Sequence, residues 1–190
     1  MQSPSAFTTA QIRTQVRKLR RDLSPQQRLS AQQSIYQQIQ HHPKVAKANH
    51  IAIFLSFDGE LETKPIIEYL WQQNKAVYLP RIHPFHHHSL LFIRYHPQTK
   101  LNINQFGIAE PKLNVNEVIP YQKLDLIFTP LVAFDQRNYR IGMGGGYYDR
   151  LLANQNLTRT YPIGLAFACQ KLDHLPNQPW DIQLPEIITA

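Results

Sequence analysis

The sequence predicts an α/β protein of one domain, with a mostly parallel sheet flanked by helices and a helical pair at the N-terminus. Three observations carry this expectation. A strand, a helix and a second strand succeed one another within residues 50–80, and such a βαβ unit implies parallel neighbours joined by a crossover. Apolar runs of strand length return at 124–135 and 161–168, and two segments of helical period come before all of them. No repeat and no long polar linker divides the 190 residues, and their 43% hydrophobic content suffices for one sizeable core. One unit over 1–190 is therefore expected, with 1–9 flexible.

In chain order, Ile12, Val16, Leu19 and Leu23 form one stripe of an amphipathic helix, with Arg13, Arg17 and Arg20 beside it. Ser24-Pro25-Gln26-Gln27 reads as a capping box with proline at the first helical position, opening a second helix that runs to about His41. HIAIFLSF, from His50 to Phe57, is β-branched and aromatic, and it stops at a turn-like Asp58-Gly59. Thr63 offers an N-cap and Pro65 a first-turn proline for a helix to about Gln73, and Lys75 to Pro80 is the returning strand. Ser89 to Tyr95 also reads as a strand, whereas Leu101 to Lys123 is a connection without clear period. Strand character resumes at Leu124 to Asp135 and at Tyr161 to Ala168, with YYDRLL opening a helix between them.

Composition excludes several classes. Abundant aromatics and an ordinary charged fraction exclude a disordered chain. Apolar runs such as Ile51 to Leu55 are far too short to span a bilayer, and no apolar h-region follows the N-terminus, so a cytoplasmic protein without a membrane partner is expected. Cys169, the single cysteine, can form no internal disulfide and reads as a structural thiol. The tract His83, His86, His87 and His88 reads as a loop tip ahead of a metal site. A net charge of +7 suits a polyanionic partner, and the basic residues concentrate between Arg13 and Arg28.

The chemistry-bearing segment is DQRNYRIGMGGGYYDR, from Asp135 to Arg150, where four of the seven glycines fall between Gly142 and Gly146. Between a buried strand and a helix start, such a loop can aim backbone N–H groups at a phosphate, and a plain hairpin tip is the competing reading. Arg140 adds a cation, Tyr147 and Tyr148 add rings, and Asp149 adds a carboxylate suited to Mg²⁺ beside phosphate oxygens or, alternatively, to a helix N-terminus. The spacing fits neither the P-loop nor the dinucleotide fingerprint.

PLVAFDQRNYRIGMGGGYYDRLL resembles the glycine-rich motif of the 5-formyltetrahydrofolate cyclo-ligase family. IAIFLSFDGELET, VYLPRI, YHP, EPKL, LDLIFTP and PWDIQLPEI follow the family's order, so the likeness covers roughly residues 10–190. It implies ATP-dependent closure of 5-formyltetrahydrofolate to 5,10-methenyltetrahydrofolate. The formyl oxygen attacks the γ-phosphate, the 10-nitrogen adds to the activated carbon, and phosphate leaves. ATP and Mg²⁺ are the implied co-substrate and cofactor, the substrate and its polyglutamates the implied partners, and a monomer the expected state.

The likeness further implies catalytic roles for Arg140 and Tyr148. ATP contacts would come from Arg13, Arg140, Gly142, Gly144, Gly145, Gly146, Tyr147 and Tyr148. Folate contacts would come from Leu55, Glu60, Met143, Gly144, Gly145, Gly146 and Tyr147, and Mg²⁺ would be held by Asp149 and Asp181. Taken alone, Glu60 also reads as a solvated turn residue and Asp181 as a turn beside proline-rich chain. Phe57 and Tyr147 could wall an aromatic ring. This chain departs from the family in having Thr9 where a lysine is frequent, which leaves Arg13 to hold phosphate alone or with Arg17; Arg17, Arg20 and Arg21 otherwise read as a solvated basic face. Two rival readings are a nucleic-acid-binding protein using the basic helix and another α/β enzyme that takes ATP or a phosphosugar.

Overall fold

The computed structural model describes residues 7–86, 88–153 and 160–190. Of the expected flexible segment, residues 1–6 lie outside the described residues, and the chain is already helical from Thr9. Helix α1 spans Thr9–Asp22 and is opened by a capping box in which the Gln11 amide donates to Thr8 and the Thr8 amide donates back to the Gln11 side chain. Helix α2, Pro25–Gln40, starts from the predicted Ser24 box, with Gln27 accepting from the Ser24 amide at 2.9 Å. A short α3, Pro43–Lys47, leads into β1, His50–Ala52.

Strand β1 is shorter than the sequence suggests. Its ladder ends near Ile53, and the chain continues irregularly to a turn in which Asp58 and Gly59 both have positive φ. Helix α4, Lys64–Gln72, begins after Thr63, yet the Thr63 hydroxyl does not cap it. That hydroxyl donates instead to the Phe54 carbonyl at 2.7 Å, drawing the irregular segment back against the helix start. Strands β2, Ala76–Ile82, and β3, Leu90–Arg94, follow.

The stretch 101–123, without period in the sequence, contains a hairpin of β4, Leu101–Ile103, and β5, Ala109–Pro111, and then β6, Val118–Ile119. Strand β7 is Leu126–Pro130, β8 is Ala133–Asp135 and β9 is Arg140–Ile141. Helix α5, Tyr147–Ala153, comes next, followed by β10, Tyr161–Ala166, β11, Lys171–Leu172, and β12, Glu186–Thr189.

Seven strands form the main sheet in the order β12-β10-β7-β1-β2-β3-β6. The first five run parallel, while β3 and β6 add antiparallel at one edge. Alternate residues of the central strands face different cores, as a period of two requires. Ile51, Val77, Leu126 and Phe128 pack with Ile35 and Ile39 of α2 and Ile67 and Leu70 of α4. Ala52, Tyr78 and Ile127 pack with Leu151 of α5. The predicted β1-α4-β2 unit is parallel, in register Ile51 to Val77.

A second sheet, β11-β8-β9, carries α1, whose Ile12 and Val16 pack on Val132, Ala133 and Ile141. The predicted stripe of α1 then departs from the sequence expectation. Leu19 is 44% exposed, and Arg20, one position on, is fully buried. The third position of the buried face is thus a cation, because the Asp58 turn lies beneath it.

Candidate active site

Strand carboxyl ends of an open parallel sheet collect ligands, and here they open on one cleft. Leu55 beyond β1, Pro80 in the carboxyl half of β2 and Leu131 beyond β7 line it. The β4-β5 hairpin makes one wall and the glycine segment the other. The space between these walls, with its open mouth counted, is about 1020 Å³.

The glycine segment is presented by the β8-β9 hairpin. Buried Asp135 ties that hairpin together, accepting from the Arg137 side chain at 2.7 Å and from the Leu175 amide at 3.1 Å. Burial would raise the Asp135 carboxyl, but these hydrogen bonds hold it below the usual carboxylate range. Past β9, the amides of residues 142–146 donate to no other group among the described residues, so they remain available to an anion. The carbonyls are occupied: Gly142 accepts from Arg13 Nε at 2.8 Å, and Gly145 accepts from His88 and Arg150, each at 3.0 Å. Gly144 sits at φ +106°, a conformation that L side chains rarely adopt, and a Cβ on Gly145 would come within 2.7 Å of the Tyr147 ring.

Arg140 is almost wholly buried. Its guanidinium donates to the Ile182 carbonyl at 3.0 Å and to Asp149 at 2.7 Å, and burial lowers its pKa. The sequence treated Arg140 as a phosphate cation and Asp149 as a helix-end or Mg²⁺ carboxylate. In the structure they form an ion pair that joins α5 to the C-terminal segment. The second oxygen of Asp149 accepts from no described group. Asp181 accepts from the Gln178 amide at 2.8 Å through one oxygen, its other oxygen is likewise without a donor, and its charge is felt at Arg140. Burial also raises the Tyr148 phenol, which stays neutral at any ordinary pH.

Glu60 stands at the opposite side of the cleft, presented by the Asp58-Gly59 turn. Its Oε2 accepts from the Phe57 amide at 3.2 Å, and burial pushes its pKa up to about 7 against the opposing pull of Arg20. The solvated reading is overturned for Arg20, which is buried, while Arg17 and Arg21 stay at the surface, and all three engage Asp58. Arg17 reaches it at 2.6 Å, Arg20 at 3.2 Å, and Arg21 closes on the other oxygen. Arg17 is therefore not a partner to Arg13 at the glycine loop. The single Asp58 carboxylate faces three guanidiniums, so these side chains are held in place while the helix keeps an excess of positive charge.

The hairpin wall is fixed by Glu110, which is buried, bonds Arg81 at 2.9 Å and accepts from the Ile82 amide and the Asn104 side chain. Phe106 at its tip lies 6.4 Å, ring to ring, from Tyr147, and Gly107 lies against Phe57, so the tip spans the two walls. Glu110→Ala should leave Arg81 without its counter-charge and cost about 2–3 kcal/mol in urea unfolding. A loss under 0.5 kcal/mol would show that the hairpin is anchored elsewhere.

Comparison with known proteins gives the lineage of this arrangement. A profile described as the 5-formyltetrahydrofolate cyclo-ligase family matches residues 7–190. The chain belongs to that family. The 5-formyltetrahydrofolate cyclo-ligase of Haemophilus influenzae is 51% identical, covering 95% of this chain and 96% of its own. That of Escherichia coli K12 is 48% identical, covering 92% and 96%. The solved 5,10-methenyltetrahydrofolate synthetase of Aquifex aeolicus superposes with a TM-score of 0.82 at 28% identity, covering 96% of this chain and 90% of that one.

Within this cyclo-ligase fold the cleft gathers Leu55, Glu60, Arg140, Gly142 and Met143, together with Gly145, Gly146, Tyr147, Tyr148 and Asp149. Gly144 and Arg13 meet on the outer side of the loop, and Asp181 lies outside the cleft lining. Phe57 and Tyr147 both line the cleft. The sequence reading missed Glu110, which the EPKL segment contains, and Asn104 and Phe106, for which no signal was noted. It also missed His88, the one residue of the histidine tract in contact with the glycine loop among those described.

Proposed function

We propose that this cyclo-ligase family enzyme closes 5-formyltetrahydrofolate to 5,10-methenyltetrahydrofolate at the expense of ATP, in the cleft between Glu60 and the glycine segment. The observation that carries the reading is the polarity of that cleft. One end offers undonated backbone amides, on a loop braced from outside the cleft by Arg13, suited to phosphate, and the other offers a carboxylate suited to the ring N–H and exocyclic amine of a pterin. Apolar and aromatic walls between them suit the flat rings.

In this reading the chain acts by positioning and charge neutralisation, since phosphoryl transfer asks little covalent help from side chains. The formyl oxygen takes the γ-phosphoryl group and releases ADP. The 10-nitrogen adds to the same carbon, gives up its proton, and phosphate leaves. Arg13 braces the loop, the amides between Gly142 and Gly146 hold phosphate oxygens, and Tyr148 is an uncharged donor beside them. Arg140 fixes Asp149 more than it meets phosphate directly.

Mg²⁺ fits the donor set. Asp149 and Asp181 each keep one undonated oxygen beside Arg140, and the described residues contain no cluster of three or more metal-type side chains, so a cation taking two carboxylates, phosphate oxygens and waters is the mode the residues allow. When bound, it would neutralise charge on the transferred phosphate.

No helix among the described residues is long and apolar enough to cross a membrane. A cytoplasmic monomer acting on polyglutamylated substrate completes the proposal. The rival reading through nucleic acid loses support from the engagement of Arg17, Arg20 and Arg21 by Asp58. With ATP, Mg²⁺ and 5-formyltetrahydrofolate, the purified chain should produce new near-ultraviolet absorbance from the methenyl product. A folded preparation that binds ATP but gives no such signal would sink the reading.

A further inference from the structure

We propose that Arg20 is a positioning residue, fixing the Glu60 carboxylate at the cleft wall where it meets the ring N–H groups of the folate. The proposal rests on the folate reading of Glu60 given above. Arg20 is fully buried on α1, and its Nη2 donates to the Asp58 carbonyl at 2.7 Å and to the Asp58 carboxylate at 3.2 Å. Its Nε and Nη1 have no hydrogen-bond partner among the described residues. Nη1 faces Glu60 Oε1 at 3.9 Å, while the other Glu60 oxygen is held by the Phe57 amide.

Two features separate this from a mere clamp on the turn. First, Asp58 does not need Arg20 for charge, because the more exposed Arg17 and Arg21 already take both of its oxygens. Second, a buried guanidinium with two idle donors is costly, and native folds rarely keep such groups without a use. The neighbour that Nη1 faces is the cleft carboxylate. Helix α1 then serves both ends of the cleft, with Arg13 at the glycine loop and Arg20 two helical turns later at Glu60.

Charge points the same way. Burial raises Glu60, and Arg20 is the main influence pulling it down. Among the other groups facing Glu60, the Phe57 amide assists by hydrogen bonding, whereas Asp58, from its own turn, repels it and Tyr148 of α5 is a neutral phenol. Only ionised Glu60 can accept from two ring donors at once. Without Arg20, a larger share of Glu60 is protonated near neutral pH, and folate should bind less tightly there.

The test compares full-length wild type, Arg20→Gln, Arg20→Lys, Glu60→Gln and the Arg20→Gln/Glu60→Gln pair, measuring dissociation constants for 5-formyltetrahydrofolate and for ATP with Mg²⁺ from pH 6 to 9. Arg20→Gln should weaken folate about tenfold at pH 7, with the loss shrinking towards pH 9, and ATP affinity should stay within about twofold. Arg20→Lys should recover part of the loss, and Arg20→Gln should add less than about twofold on the Glu60→Gln background. A loss independent of pH, a loss that adds fully to that of Glu60→Gln, or equal weakening of ATP would overturn the role. If Arg20→Gln fails to fold, Arg20→Lys decides: its folate loss should vanish on the Glu60→Gln background, and a loss that persists there overturns the proposal. Wild type that binds no 5-formyltetrahydrofolate strikes the functional reading itself, whereas binding that ignores Arg20 strikes only this one.

Discussion

Asp149→Asn should lower turnover by about two orders of magnitude, because the substitution keeps the shape of the side chain and removes the charge that Arg140 uses and that the proposed Mg²⁺ would use. The Arg140 guanidinium is about 2% exposed and bonds Asp149 at 2.7 Å. Neutralising Asp149 therefore leaves a buried cation facing only a carbonyl dipole and the more distant Asp181, and a drop in stability on the order of 1–3 kcal/mol should accompany the loss. Sequence reasoning, which saw a Mg²⁺ or helix-end carboxylate without a buried cation beside it, implied no such drop.

The two effects separate by measurement. Turnover at 25 °C, corrected for the folded fraction, should remain down about a hundredfold, and raising Mg²⁺ should recover part of it. Activity that returns to wild type after that correction would make Asp149 a purely structural partner of Arg140.

Glu60→Gln should act in opposite directions on binding and on stability. Gln replaces one acceptor oxygen with a donor, so affinity for 5-formyltetrahydrofolate should fall by about 1–3 kcal/mol, roughly tenfold to a hundredfold, with ATP affinity unchanged. Stability of the unliganded protein should move the other way. Glu60 titrates near 7 in the fold against an ordinary value near 4.5. Between those values the unfolded chain releases the proton while the folded chain keeps it, so ionising Glu60 costs stability as pH rises, and the cost is complete above about pH 7.

Gln never ionises. From pH 4.5 to 8 the variant should accordingly gain on wild type, by an amount on the order of 1–3 kcal/mol in denaturant unfolding. A constant difference across that range would mean that Glu60 has an ordinary pKa. Weakening of both ligands together would assign it to the fold.

Features written in short stretches of sequence could be read without the structure. The Ser24 cap, the β1-α4-β2 unit and the glycine segment each depend on residues within a few positions of one another, and local sterics decide them. The β4-β5 hairpin escaped because Glu110 is anchored to Arg81 and Ile82 across nearly thirty residues, while its outward residues Leu101 and Ile103 are exposed and break the expected alternation. Thr63 was placed correctly and its hydroxyl was not, since the Phe54 carbonyl competes for it better than the helix end does.

The sequence alone determined the α/β class, the parallel core and the loop that can meet a phosphate, because apolar period and glycine conformation are properties of the chain itself. Only the tertiary structure decided where the charges go. Hydropathy sends arginine and aspartate to the surface, yet three arginines of α1 converge on Asp58, one of them fully buried, and Arg140 closes on Asp149. Burying a charge is tolerable only where a counter-charge from elsewhere in the chain waits for it, and a linear sequence does not state that meeting.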